Sequence, residues 1–210
     1  EVGEVLLADR LSAKGKKVVV IGGGDTGADC VGVANRDGAL CVTQIELLER
    51  PPECRTDDFP WPKYPMVLKP STSHEEGAER RWAVLTKKFI GQNGWVKKLN
   101  CVEVEFSSEK PGVCPLMKEV PGTGFEIEAD LVILAMGFLH TEHGKLVKDL
   151  ALKLDEKGNI KTGDSFMSSI KGVFSAGDMH TGQSLIVRAI SEGRKAAYQQ
   201  IIFQLLEGPQ

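Results

Sequence analysis

An α/β fold around a central parallel sheet is the architecture this sequence predicts, on three observations. A β-branched run, Lys17-Val18-Val19-Val20-Ile21, stops at glycines and passes straight into helix-compatible sequence. A second apolar run, Val42 to Leu48, follows after about 20 residues, the spacing of a βαβ unit. A third, Asp130 to Ala135, reads as a further buried strand closed by Gly137.

The first junction carries the chemistry. Gly22, Gly24 and Gly27 fit G-x-G-x-x-G, the fingerprint of a dinucleotide phosphate turn. Gly22 permits the tight turn, Gly24 lets backbone approach a pyrophosphate, and Gly27 lets the helix pack on its strand. The free N–H groups at a helix start then face the phosphates. Thr26 to Arg36 is expected to be that helix, with Val31 and Ala34 toward the sheet and Asp37-Gly38 as its stop. Glu49 and Arg50 fall at the expected end of the second strand. A carboxylate there binds a ribose 2′-OH and an Arg binds a 2′-phosphate, so NADH and NADPH both stay open.

Bulk properties set the class. Hydrophobic content of 41% and charged content of 26% over 210 residues describe a globular chain with a real core. A net charge of −3 gives no reason to expect nucleic-acid or acidic-membrane binding. There is no membrane-length apolar run and no secretory opening. Cys30, Cys41, Cys54, Cys101 and Cys114 form no C-x-x-C pair, which points to free thiols and a cytoplasmic setting. Cys30 lies near a helix start, but a small side chain on the helix's inner face is the simpler reading.

The remaining elements follow in order. Glu4 to Leu11 reads as a short connecting helix, and a chain that opens there without Met is expected to be part of something longer. Prolines crowd residues 51–73, an extended surface loop in which Trp61 and Tyr64 either pin the loop or line a cleft. Ser73 and Glu76 suggest a capping box that opens a helix from His74 to Ile90, with Ala78, Trp82, Leu85 and Phe89 at helical spacing and His74 as a polar cap residue. Val96 to Phe106 and Gly124 to Glu128 alternate like antiparallel strands. His140 and His143 have no third ligand nearby and read as solvated side chains. Gly172 to Asp178 reads as a short strand ending in glycine, and Ser184 to Leu206 as a long amphipathic helix.

Several stretches together resemble the small (β) subunit of glutamate synthase. They are Val18 to Cys30, His74-Glu75-Glu76, Thr86 to Gly91, Phe174 to Asp178, Gly182 to Leu185 and Glu192-Gly193-Arg194. That family is similar to the flavin and NADPH half of dihydropyrimidine dehydrogenase. The resemblance implies two Rossmann-like domains, the NAD(P)H-binding one inserted into an FAD-binding one. Residues 1–13 would then be a connecting helix, 14–138 the NAD(P)H domain, and 139–210 the C-terminal return segment of the FAD domain. Hydride would pass from NADPH or NADH to FAD, and electrons would leave through iron–sulfur clusters to a large (α) subunit that makes glutamate from glutamine and 2-oxoglutarate.

Residue by residue, the resemblance implies that Gly22, Gly24, Asp25, Thr26 and Gly27 hold the NAD(P)H pyrophosphate. Ala135 and Gly137 match the A-x-G segment near the nicotinamide, and Gly177 and Asp178 match the late FAD motif. Gly182, Gln183 and Ser184 would form a helix start facing the flavin. Members of that family usually carry basic residues after the late Gly-Asp and a Trp farther along the helix, and this sequence departs from that with His180, Thr181 and Arg188 in the region. No side chain is expected to act as acid or base, since the cofactors carry hydride chemistry. The FAD site is expected to be incomplete, because the family's first FAD motif and its iron–sulfur region lie upstream of the matched residues; a homodimer of the fragment is one consequence. A stand-alone NAD(P)-dependent dehydrogenase lacks support, because neither Tyr64 nor Tyr198 begins a Y-x-x-x-K pair. A non-catalytic NAD(P)H-binding module is the other alternative.

Overall fold

A computed structural model describes residues 11–62, 66–107 and 115–207. The chain divides into two compact units, with the division between Met136 and Gly137. The expected connecting helix over Glu4 to Leu11, Tyr64 and Cys114 lie wholly or largely outside the described residues.

In the first unit, β1 (Lys17–Ile21) leads through the glycines into α1 (Asp25–Arg36), and β2 (Cys41–Ile45) pairs with β1 in parallel. After the long proline-rich loop come α2 (Thr72–Glu75), β3 (Glu79–Arg81), β4 (Val84–Gln92) and β5 (Trp95–Ser107). Then follow β6 (Leu116–Glu119), β7 (Phe125–Glu128) and β8 (Leu131–Leu134). The parallel sheet has the order β3-β2-β1-β8, while β5 pairs antiparallel with β4, β6 and β7.

The alternation of side chains along β1 explains why its run is apolar throughout. Val18 and Val20 pack with Val31 and Ala34 of α1, and Val19 packs with Leu99, Cys101 and Ile127 of the antiparallel strands. The parallel sheet is thus covered by a helix on one face and by a second sheet on the other, and both faces demand apolar residues. Asp37 caps α1, and Gly38 takes the left-handed conformation at φ +86 with its N–H on the Asn35 carbonyl, as an Asp-Gly stop requires.

Five expectations are corrected here. The predicted helix from His74 to Ile90 is instead one helical turn followed by two strands. Gly77 at φ +117 and Ala83 at φ +57 break any helix through this stretch, and β4 finds its hydrogen bonds across a hairpin with β5. Asn93 and Gly94, both at positive φ, make that hairpin turn, the Asn-Gly signal of a type I′ loop. The cap is built on Ser71, not on Ser73 with Glu76. The strand expected to reach Leu48 ends at Ile45. The run closing at Gly137 is the edge strand β8, only half-buried, because among the described residues β1 is its sole partner in the parallel sheet. Trp61 does not pin its loop, being 82% exposed.

The second unit contains α3 (Lys145–Asp149), α4 (Asp178–Thr181) and α5 (Ile186–Glu207), and Val147 of α3 forms a small core with Leu152 and Ile160, against which Met179 of α4 packs. The strand expected over Gly172 to Asp178 reduces to a bridge between Met167 and Phe174, because no longer partner strand lies beside it among the described residues. His140 and His143 stack face to face at 4.2 Å, each bonded to a backbone carbonyl. Among the described residues, no helix is long and apolar enough to cross a membrane and no cluster fit to hold a metal occurs.

Candidate dinucleotide site

The glycine turn is built from both of its neighbours. Gly22 donates its N–H to the Ile45 carbonyl of β2 at 2.8 Å, and Ala135, just past β8, donates to the Ile21 carbonyl at 2.8 Å. Gly22 stands at φ +127, and a Cβ there would collide with the Ala135 carbonyl, so two conditions exclude any other residue. Gly27 is closed in similarly, against the Gly22 carbonyl oxygen. Gly24 differs: a Cβ on it would meet nothing within 4 Å. It is the N-cap of α1 and makes no side-chain hydrogen bond to the first turn. Open space, uncapped amides and the positive end of a twelve-residue helix therefore coincide at Gly24, Asp25 and Thr26. A phosphate group fits this cradle.

The structure brings Gly22, Gly24, Asp25, Thr26, Gly27 and Ala135 together. Glu49 and Arg50 stand beyond the end of β2 in exposed chain, where Arg50 pairs with Glu53 at 3.1 Å and lies over the Trp82 ring. The acidic residue that directly follows β2 is Glu46, whose carboxylate accepts the Gly23 and Leu48 amides. Glu46 was missed because the strand was expected to run to Leu48; its spacing from the glycines is the signal that could have found it.

A second group escaped the sequence altogether. Gln44, in the middle of an apolar strand and 2% exposed, donates from Nε2 to the Gly22 carbonyl at 2.9 Å. Its Oε1 lies 2.8 Å from His74 Nε2, and the Ser71 amide donates to His74 Nδ1 at 3.1 Å. Burial first, and the Arg80 guanidinium second, push the His74 imidazole below its usual range. Cys30 packs near the α1 core and burial raises its thiol, so the helix start does not activate it.

In the second unit, Gly177 at φ +66 opens α4, and its amide donates to Glu192 Oε2 at 2.9 Å. His180 Nδ1 lies 3.1 Å from the same oxygen. Burial raises the Glu192 carboxyl, yet hydrogen bonds from His180 and the Gly177 amide outweigh that and hold it low. Asp178 is exposed at the head of α4, and three residues before it the Ser175 hydroxyl is buried with no hydrogen-bond partner among the described residues. Gly137 opens this unit at φ +80. Gly182, Gln183 and Ser184 do not start the long helix as expected. Gly182 caps the end of α4, Gln183 donates to the Phe138 carbonyl at 2.6 Å, and α5 begins only at Ile186. Gly182, at φ +82, takes a conformation that ends one helix and cannot lie in the next.

A parallel sheet whose first strand turns through glycines into an uncapped helix, backed by an antiparallel sheet, defines a pyridine-nucleotide-binding oxidoreductase domain. The chain belongs to the pyridine nucleotide-disulphide oxidoreductase family, whose pattern matches residues 4–193. It is 51% identical over 187 residues to the glutamate synthase [NADPH] small chain of Mycobacterium tuberculosis, covering 89% of this chain and 37% of that one. It is 43% identical over 195 residues to the glutamate synthase [NADH] of Schizosaccharomyces pombe, covering 89% of this chain and 9% of that one. The chain thus spans little more than a third of the small chain it matches. Among solved structures, thioredoxin reductase of T. acidophilum superposes with a TM-score of 0.60 at 25% identity, covering 91% of this chain and 54% of that one. Mycobacterium tuberculosis FprA in complex with NADPH shares the fold, with a TM-score of 0.64 at 14% identity over 91% and 53% of the two chains.

Proposed function

We propose that this chain is the nucleotide-binding part of a glutamate synthase-type electron-input subunit, in which hydride passes from NADPH or NADH to FAD. The observation that carries the reading is the contrast among the glycines: space is denied at Gly22 and Gly27 and left open at Gly24. In this reading residues 14–138 form the NAD(P)H domain and 139–210 the closing segment of the FAD domain, with residues 1–13 connecting. FAD supplies the two-electron acceptor chemistry. The chain's own residues bind and orient: amides of Asp25, Thr26 and Gly27 hold the pyrophosphate, Glu46 accepts the ribose hydroxyls, and Ala135 braces the turn. Asp178 would hold the flavin side, with Gly177 locked by Glu192.

The similarity to glutamate synthase small chains supports a large-subunit partner, an upstream iron–sulfur and FAD region, and a place in cytoplasmic glutamate biosynthesis. The reading is tested by titrating NADH and NADPH into the purified chain and following nicotinamide fluorescence. Saturable binding that Gly24→Val abolishes supports it; a wild-type chain that binds neither nucleotide overturns it.

A further inference from the structure

Ser71, His74, Gln44 and Gly22 form one hydrogen-bonded line from the α2 cap to the phosphate turn. Its two ends dictate its direction. The Ser71 amide can only donate, so His74 Nδ1, 3.1 Å away, must carry a lone pair. The Gly22 carbonyl can only accept, so Gln44 must point its NH₂ there at 2.9 Å, leaving Oε1 toward His74 Nε2 at 2.8 Å. Nε2 must then carry the hydrogen. The line closes with one protonation state alone, the neutral Nε2–H imidazole.

What the line holds is the Gly22–Gly23 peptide. The Gly22 carbonyl is gripped by Gln44, and the Gly23 amide on the other side of the same plane is gripped by Glu46. Rotation of this peptide would re-aim the amides that follow it at Gly24 and Asp25. Gln44 is held in place by its burial, being 2% exposed, and by its bonds at both ends.

We propose that Gln44 and His74 are positioning residues for the pyridine-nucleotide pyrophosphate, and that protonating His74 releases the phosphate turn and weakens nucleotide binding. This rests on the dinucleotide reading of Gly22 to Gly27. A second proton, on Nδ1, puts an N–H against the Ser71 N–H, donor against donor, and leaves only the Ser71 hydroxyl oxygen, also 3.1 Å away, to accept it, so the ring and the α2 cap must shift and carry the Nε2–H contact to Gln44 with them. Arg80 on β3 is the charge that acts on the ring, and it opposes protonation. The other charged groups of the adjoining elements are Glu75 on α2 with Glu76 just after it, Asp25, Asp29 and Arg36 on α1, and Glu79 and Arg81 on β3; Arg36 pairs with Glu76 and Arg81 with Glu79.

Two measurements on the 210-residue chain test the proposal. Nitrogen chemical shifts of His74 at pH 7.5 are expected to report the neutral Nε2–H tautomer; the Nδ1–H form, or a charged ring, overturns it. Dissociation constants for NADH and NADPH are then measured at pH 7.5 and 5.5 in three proteins. Wild type is expected to bind about tenfold more weakly at the lower pH, the size of one hydrogen bond to a buried group. His74→Gln offers an acceptor to Ser71 and a donor to Gln44 without titrating, so it should keep its affinity at pH 7.5 and lose most of the pH dependence. His74→Phe should bind about tenfold more weakly at both pH values. A His74→Gln protein with the wild-type pH profile overturns the relay while leaving the nucleotide site standing. Failure of wild type to bind either nucleotide at pH 7.5 overturns the site itself, and the proposal with it.

Discussion

Gly27 of α1 and Gly22 at the end of β1 touch through backbone alone: a Cβ on Gly27 would run into the Gly22 carbonyl oxygen and stand 2.7 Å from Gln44 Nε2. Both obstacles are held in place, one as main chain and the other as a buried amide bonded to that carbonyl. Gly27→Ala is therefore expected to destabilise the first unit by about 1–3 kcal/mol, the usual cost of overpacking. Thermal unfolding measures it. An unchanged midpoint would mean that α1 slides along β1 without penalty.

Gly24→Val should separate folding from binding. Its Cβ enters open space, so the midpoint should move little beyond the modest cost of a poorer N-cap. Nucleotide affinity should fall at least about tenfold, since the side chain fills the place of the pyrophosphate. A folded Gly24→Val chain that binds as wild type would remove the phosphate turn from the assignment.

Selectivity should follow Glu46. Its carboxylate adjoins the turn and repels a 2′-phosphate, so Glu46→Gln is expected to improve NADPH relative to NADH. Glu49→Ala and Arg50→Ala should change that ratio less, because both positions lie beyond the strand and Arg50 is engaged with Glu53 and Trp82. Titrations with the two nucleotides decide between the positions, and a larger shift from Arg50→Ala would return the role to it.

Stability should fall in mild acid. The folded His74 imidazole is held below the unfolded value of about 6.5, so the unfolded chain binds more protons in the window just below that pH. Unfolding is thus favoured as pH drops through about 6.5 toward the folded value, and the loss levels off below it. Midpoints measured from pH 7.5 to 5.5 should show this slope in wild type and a shallower one in His74→Gln. Parallel slopes would assign the effect to other groups.

The candidate flavin residues of the second unit stand open. Asp178 and Ser184 are exposed, Gln183 is spent on the Phe138 carbonyl, and Ile186 of α5 is 78% exposed. FAD held by these residues alone is expected to be lost on gel filtration, and the apolar face of α5 favours self-association. Stoichiometric FAD on a monomer would contradict both.

Legibility in the chain tracks how local each interaction is. The run from Lys17 to Arg36 could be read directly, because a β-branched strand, its glycine turn and the following helix are each specified by neighbouring residues. The stretch from His74 to Ile90 could not. Its apolar spacing suits a helix, and the strand conformation of β4 exists because β5 supplies its hydrogen bonds and Leu99 and Cys101 cover Val84. The Asn93-Gly94 dipeptide was the local clue to that hairpin. Ser71, His74, Gln44 and Gly22 carry no mutual signal in one dimension. They meet because β2 pairs with β1 and the chain returns past the proline-rich loop to set α2 against α1, and a buried amide between two such elements must find both of its partners there.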